Sequence, residues 1–150
     1  MKSLIVCCDG TWNHPEQEDD GVLAPTNVRK LFNLLQLEEA NQKAFYQSGV
    51  GTGGLLDSIG GGLVGMGISE NIRDCYKWLA THYEPGDKIY LFGFSRGAFT
   101  VRSLAGMIGR CGLLNLRLSD GSHEDLVKTA YEEGYRERKP QFEWGSGLVF

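Results

Sequence analysis

Ser95 stands in the pentapeptide Gly93-Phe94-Ser95-Arg96-Gly97, a G-x-S-x-G pattern whose residue types suit acyl transfer. A serine hydroxyl attacks an ester carbonyl once a base takes its proton, and the oxyanion that forms needs N–H donors aimed at it. The pattern alone says little in a chain with 21 glycines. Its setting says more, because the apolar run Lys88-Ile89-Tyr90-Leu91-Phe92 precedes it and a helix-like stretch from Ala98 follows. A strand-to-helix turn of this kind holds a serine hydroxyl clear of a sheet. Gly93 and Gly97, lacking Cβ, let the start of the helix pass close to neighbouring strands. The Arg96 N–H is the expected first oxyanion donor, helped by the dipole of the helix whose start sits beside Ser95. The alternative is an inert serine in a tightly packed strand-turn-helix joint.

A base is harder to find. The chain has three histidines. In this type of fold the order Ser, then acid, then His leaves only Asp120 and His123 after Ser95, three residues apart at an expected helix start. His82 closes the helix before the elbow strand and so belongs at the wrong end of that strand, where it would interact with the last helical carbonyls. His14 sits in a loop after the first strand, at the same end as Ser95. None of the three fits well, and the expectation is that the triad acid and histidine lie beyond this sequence.

Positioning a serine this way requires a sheet. Leu4-Ile5-Val6-Cys7-Cys8 reads as a strand buried on both faces and ends at the turn signal Asp9-Gly10. The acidic stretch from Glu16 to Asp20 reads as a loop, without the ligand spacing of a calcium site. Pro25-Thr26-Asn27 offers a helix start with Val28, Leu31, Phe32 and Leu35 on one face. A second strand spans 43–48. From Ser69, taken as an N-cap, Ile72, Cys75, Tyr76, Leu79 and Tyr83 form a helical stripe that Pro85-Gly86-Asp87 ends. The elbow helix should turn Val101, Leu104, Ala105 and Ile108 inward and stop near 109–112. Ser122 should cap a further helix running to about Lys139 before Pro140, and 148–150 could open another strand. Apolar strands alternating with helices make an α/β fold, a parallel sheet flanked by helices, with ligand chemistry at the carboxyl ends of the strands.

A chain of 150 residues with net charge −4 supports one domain and argues against binding the phosphate backbone of nucleic acid. The four cysteines, Cys7, Cys8, Cys75 and Cys111, lack a metal-ligand pattern and read as reduced core thiols, with Cys7 and Cys8 on opposite faces of the strand. No metal or cofactor is expected. The first eight residues do not make a signal peptide and no segment reaches membrane-spanning length, so the expected location is cytoplasmic, with signal-independent export left open. The two G-x-G-x-x-G matches, from Gly49 and from Gly60, lack the helix that a dinucleotide site needs, and a lid or close-packed loop over 49–67 is the better reading. Arg96 and Arg102 are candidates for an anionic head group, with ordinary ion pairing as the alternative.

Several ordered motifs together resemble one family. They are Asp9-Gly10-Thr11-Trp12-Asn13, Tyr46 with Gly49-Val50-Gly51-Thr52-Gly53, the segment from Tyr90 to Phe99, Arg102, Leu104-Ala105-Gly106-Met107-Ile108 and Gly112-Leu113-Leu114. The chain is similar over most of its length to the uncharacterised α/β-hydrolase family that includes the phospholipase effectors of bacterial type VI secretion. The resemblance implies an α/β-hydrolase fold, Ser95 as nucleophile, a lipid or other ester substrate with possible contact to a membrane surface, and a second oxyanion N–H from Gly10 or Thr11 beside that of Arg96. It also implies that residues 1–150 are the amino-terminal part of one hydrolase domain, incomplete at its carboxyl end. The rival reading is an inactive hydrolase fragment that serves as a binding module.

Overall fold

The computed structural model describes residues 1–10, 18–20, 22–35, 41–49, 61–139 and 149–150. Strand β1 (Ser3–Cys8) is central in a three-stranded sheet of order β4-β1-β5, between β4 (Gln42–Gln47) and β5 (Lys88–Gly93). Both pairings are parallel, Ser3 opposing Gln42 on one side and Lys88 on the other. Centrality explains the unbroken apolar run: Leu4, Val6 and Cys8 enter one core, while Ile5 and Cys7 enter a second across the sheet. Fully burying side chains such as Leu4 and Val6 stabilises by about 1.5–3 kcal/mol each.

Helix α1 (Asn27–Asn33) follows a short antiparallel ribbon of β2 (Glu18–Asp19) and β3 (Val22–Leu23), formed within the stretch expected to be loop. Asp20 makes its turn in a left-handed conformation, φ 50°. Thr26 caps α1 by accepting from the Arg29 N–H at 3.1 Å, and Val28, Phe32 and Leu35 pack on the Ile5 and Cys7 face. The opposite face carries α2 (Gly61–His82) and α3 (Arg96–Cys111). Ile72, Cys75, Tyr76 and Leu79 of α2 are buried as their spacing predicts.

Two expectations need correction. Helix α2 does not start at Ser69 but two turns earlier, at Gly61. Each glycine costs a helix about 1 kcal/mol without forbidding it, and extending an existing helix is far easier than nucleating one. Ser69 is therefore inside the helix, where its hydroxyl accepts from Tyr131 at 2.8 Å. The inward stripe of α3 is Val101, Ser103, Leu104 and Met107, whereas Ala105 is exposed and Ile108 is half-buried. Gly112, at φ 71°, ends α3.

Ser122 caps α4 (His123–Thr129) by accepting from the Asp125 N–H, and the chain continues as a π-helical segment, Ala130–Arg136. Val149 forms an isolated antiparallel bridge with Leu114, and the Phe150 N–H donates to the Leu113 carbonyl. All four cysteines are buried and free, with Cys8 and Cys75 sulfurs 3.6 Å apart. The chain leaves β1 for β4 on one side and reaches β5 on the other, with α1 and α2 on opposite faces. In a sheet wound this way the crevice opens at the carboxyl end of β1.

Candidate active site at the carboxyl ends of the strands

Cys8 of β1 stands opposite Gly93 of β5 and Gln47 of β4. The ladders run one residue further, the Phe94 N–H donating to the Cys8 carbonyl at 3.1 Å and the Asp9 N–H to that of Gln47 at 2.9 Å. The chain then reverses sharply. The Gly97 N–H donates back to the Phe94 carbonyl at 2.9 Å, closing a four-residue turn. Ser95, at φ 53° and ψ −122°, takes the first central position of a type II′ turn, a place normally held by glycine. A non-glycine residue there carries strain of about 1–3 kcal/mol.

Both flanking glycines are required by close approach. A Cβ on Gly93 would lie 2.5 Å from the Gly97 carbonyl oxygen, and one on Gly97 only 2.2 Å from that of Cys8. The start of α3 is thus pressed directly on the end of β1. Ser95 is its N-cap residue, although its side chain makes no capping hydrogen bond. It lines a cavity of about 570 Å³ with Ala98, Phe99, Arg102, Ser103 and Tyr135. Phe94 and Phe99 beside it are 52% and 60% exposed.

Below the turn, Asp9 is 3% exposed. Its carboxylate accepts from the Thr26 hydroxyl at 2.6 Å, the Tyr46 hydroxyl at 2.7 Å and the Gly10 N–H at 3.1 Å. Three donors from β4, the cap of α1 and the loop itself therefore fix the exit of β1. Burial, reinforced by the hydrogen bond to Asp9, pushes the Tyr46 phenol far above its ordinary value. The Arg29 guanidinium lies over the Tyr46 and Phe32 rings, 4.8 and 5.2 Å from their centroids. Spacing did not single out this cluster as a unit. The turn signal Asp9-Gly10, the cap at Thr26 and Tyr46 were each visible, but the pairing that joins them is tertiary.

The expected site residues come together only in part. Ser95, Arg96 and Gly10 lie at the same end of the sheet, with Arg96 the first residue of α3. The Gly10 N–H is engaged by the Asp9 carboxylate. Thr11, His14 and positions 50–60 of the glycine-rich stretch lie outside the described residues. His82 sits at the end of α2, near the start of β5, with its Nδ1–H donating to the Trp78 carbonyl at 2.8 Å and its ring 4.8 Å from that of Trp78. His123 begins α4, and the adjacent Glu124 pairs with Lys77 at 2.7 Å. Among the described residues, no histidine lines the Ser95 cavity. Among the described residues, no group of three His, Cys, Asp or Glu is placed to hold a metal ion, and no helix is long and apolar enough to cross a membrane.

Residues 2–146 match the family model described as T6SS, Phospholipase effector Tle1-like, catalytic domain. An uncharacterised protein of Saccharomyces cerevisiae is 36% identical over 146 residues, which cover 87% of this chain and 20% of that protein. The chain thus spans about a fifth of the length of this relative. No solved structure matches it.

Proposed function

We propose, for a chain that belongs to the family of T6SS Tle1-like phospholipase effector catalytic domains, that it is an α/β-hydrolase-type domain cleaving lipid esters with Ser95 as nucleophile. The observation that carries this reading is the backbone of Ser95, held at φ 53° and ψ −122° between two glycines that admit no Cβ. Strain of this kind persists only where the surroundings enforce it, and it projects one hydroxyl into the cavity at the sheet's crevice.

In the proposed reaction a base takes the Ser95 proton as Oγ bonds to the carbonyl carbon. The tetrahedral oxyanion is met by the Arg96 N–H and by a donor from the loop after β1, Gly10 or Thr11. For Gly10 to serve, its N–H must leave the Asp9 carboxylate. Collapse breaks the carbon–oxygen bond to the alcohol, which departs with the proton, and water then attacks the acyl-serine to release the acid and restore Ser95. The base is supplied from outside the described residues.

Treatment with a fluorophosphonate should modify Ser95 alone, and hydrolysis of a short aryl ester should vanish in Ser95→Ala. Hydrolysis that survives the substitution rejects the proposal. A second reading, an inactive module that binds through its sheet, draws on β5, at the edge of the sheet among the described residues, whose Tyr90 and Phe92 are 42% and 39% exposed. An inert but folded chain that fluorophosphonate leaves unmodified favours that reading.

A further inference from the structure

Asp9, the residue after β1, is a buried carboxylate. Among the described residues it accepts from Thr26, Tyr46 and the Gly10 N–H and forms no ion pair. Burying an ionised group without a cation is costly, and hydrogen bonds offset that cost only when their geometry is good. The two hydroxyls donate to the same oxygen, Oδ2, at 2.6 and 2.7 Å, while the Gly10 N–H takes Oδ1 at 3.1 Å. With both oxygens engaged from different directions, the carboxylate has one placement between the cap of α1 and the end of β4.

The backbone of the same residue carries the Ser95 turn. The Asp9 N–H donates to the Gln47 carbonyl at 2.9 Å, which ties it to β4. Toward β5, the Cys8 carbonyl accepts from the Phe94 N–H at 3.1 Å. The Cys8 and Asp9 carbonyl oxygens also lie 2.2 and 2.6 Å from where a Cβ on Gly97 would stand. The Cys8–Asp9 stretch is therefore the floor under the first turn of α3. Backbone meets backbone there, so a shift of that floor passes to the turn with no side chain to absorb it.

We infer that Asp9 is a positioning residue for Ser95: with Tyr46 and Thr26 it holds the end of β1 against the Ser95 turn, and so sets where the serine hydroxyl stands. This rests on the reading of Ser95 as nucleophile. Placement is what such a tie controls, and a displacement of about 1 Å at a reacting group costs on the order of a hundredfold in rate.

Tyr46→Phe removes one donor and keeps the ring that packs beside Phe32. Native-state hydrogen exchange then compares two amides at opposite ends of the pairing between β1 and β5. They are Phe94, bonded to Cys8, and Lys88, bonded to the Lys2 carbonyl at 3.0 Å. In Tyr46→Phe the Phe94 amide should exchange about tenfold faster or more, and that of Lys88 less than about twofold faster. A general loss of stability would speed both. Equal acceleration of the two, or none at Phe94, overturns the inference.

The second-order rate of fluorophosphonate labelling reads the hydroxyl itself. In Tyr46→Phe it should fall about tenfold or more, with kcat for a short aryl ester falling alongside and KM holding within about twofold. Labelling at the wild-type rate overturns the inference. A wild-type chain that takes no label rejects the Ser95 reading instead, and the exchange comparison alone then decides whether Asp9 holds the turn. Asp9→Asn should act like Tyr46→Phe or more strongly, because an amide has one acceptor oxygen for the two sides that the carboxylate serves. In that background Tyr46→Phe should change either readout by less than about twofold, and full additivity overturns the inference. If Asp9→Asn does not fold, the Tyr46→Phe comparison decides.

Discussion

Ser95 occupies backbone space that glycine would enter freely, and the surrounding contacts hold it there: a ladder bond from Phe94 to Cys8, a turn bond from Gly97 to Phe94, and helix α3 seated on β1. The strain gives a prediction opposite in sign for stability and activity. Ser95→Gly should raise the unfolding free energy by about 1 kcal/mol and the Tm by a few degrees, since glycine needs no enforcement, while ester hydrolysis is lost. Thermal unfolding and an aryl ester assay on the same sample check both. A lower Tm would mean that the serine side chain contributes contacts outweighing its backbone strain. The pentapeptide with its flanks made this position legible. The Asp9, Thr26 and Tyr46 cluster was not legible as a unit, because its members lie on three elements that only the sheet register brings together.

At the scale of elements, the joint between β1 and α3 is the closest approach in the site. Gly97→Ala would drive a methyl into the carbonyl oxygens of Cys8 and Asp9, 2.2 and 2.6 Å away, and backbone on both sides leaves no flexible group to yield. A loss of more than about 3 kcal/mol is expected by chemical denaturation, near the upper end for single substitutions. A loss below about 1 kcal/mol would mean that α3 can lift from β1 cheaply.

The opposite ends of the strands are tied by charge. Asp87 accepts from the Lys2 backbone N–H at 2.8 Å, the Glu84 N–H at 2.9 Å and the Lys2 ammonium. Burial alone would raise the Asp87 pKa, but these donors outweigh it and hold it below the ordinary value. A depressed carboxyl stabilises the fold above its unfolded pKa of about 4, and that contribution is lost as pH falls through the lower folded value. Asp87→Asn should therefore be less stable than wild type at pH 7, with the gap closing below about pH 4 in acid titrations of urea midpoints. A gap that is constant with pH would show that the carboxylate charge is not what matters. The apolar stripes of α1 and α2 were legible from their period. The early start of α2 was not, because glycine propensity argues locally for a loop while helix extension is cooperative.

For the whole molecule, the sheet order places one strand between two others and covers it on both faces. Amides of Ile5, Val6 and Cys7 should therefore exchange with solvent only on global unfolding, while those of β5 exchange at least tenfold faster through local opening. Native-state hydrogen exchange followed by NMR decides this, and equal protection across the sheet would contradict it. The α/β class and parallel sheet followed from strands alternating with helices, and the motifs from Asp9 to Leu114 pointed to the family that residues 2–146 match. Strand order and the ribbon between Glu18 and Leu23 did not follow, because local pattern does not specify which distant edges meet.

The centrality of β1 also governs its synthesis. Ser3 pairs with Gln42 and with Lys88, 85 positions later, so the most buried strand leaves the ribosome before either of its neighbours. At about 5–20 residues per second the apolar run Leu4 to Cys8 waits on the order of ten seconds for β5. During that interval it is the segment most in need of a chaperone, and expression yield should respond to translation speed between β4 and β5.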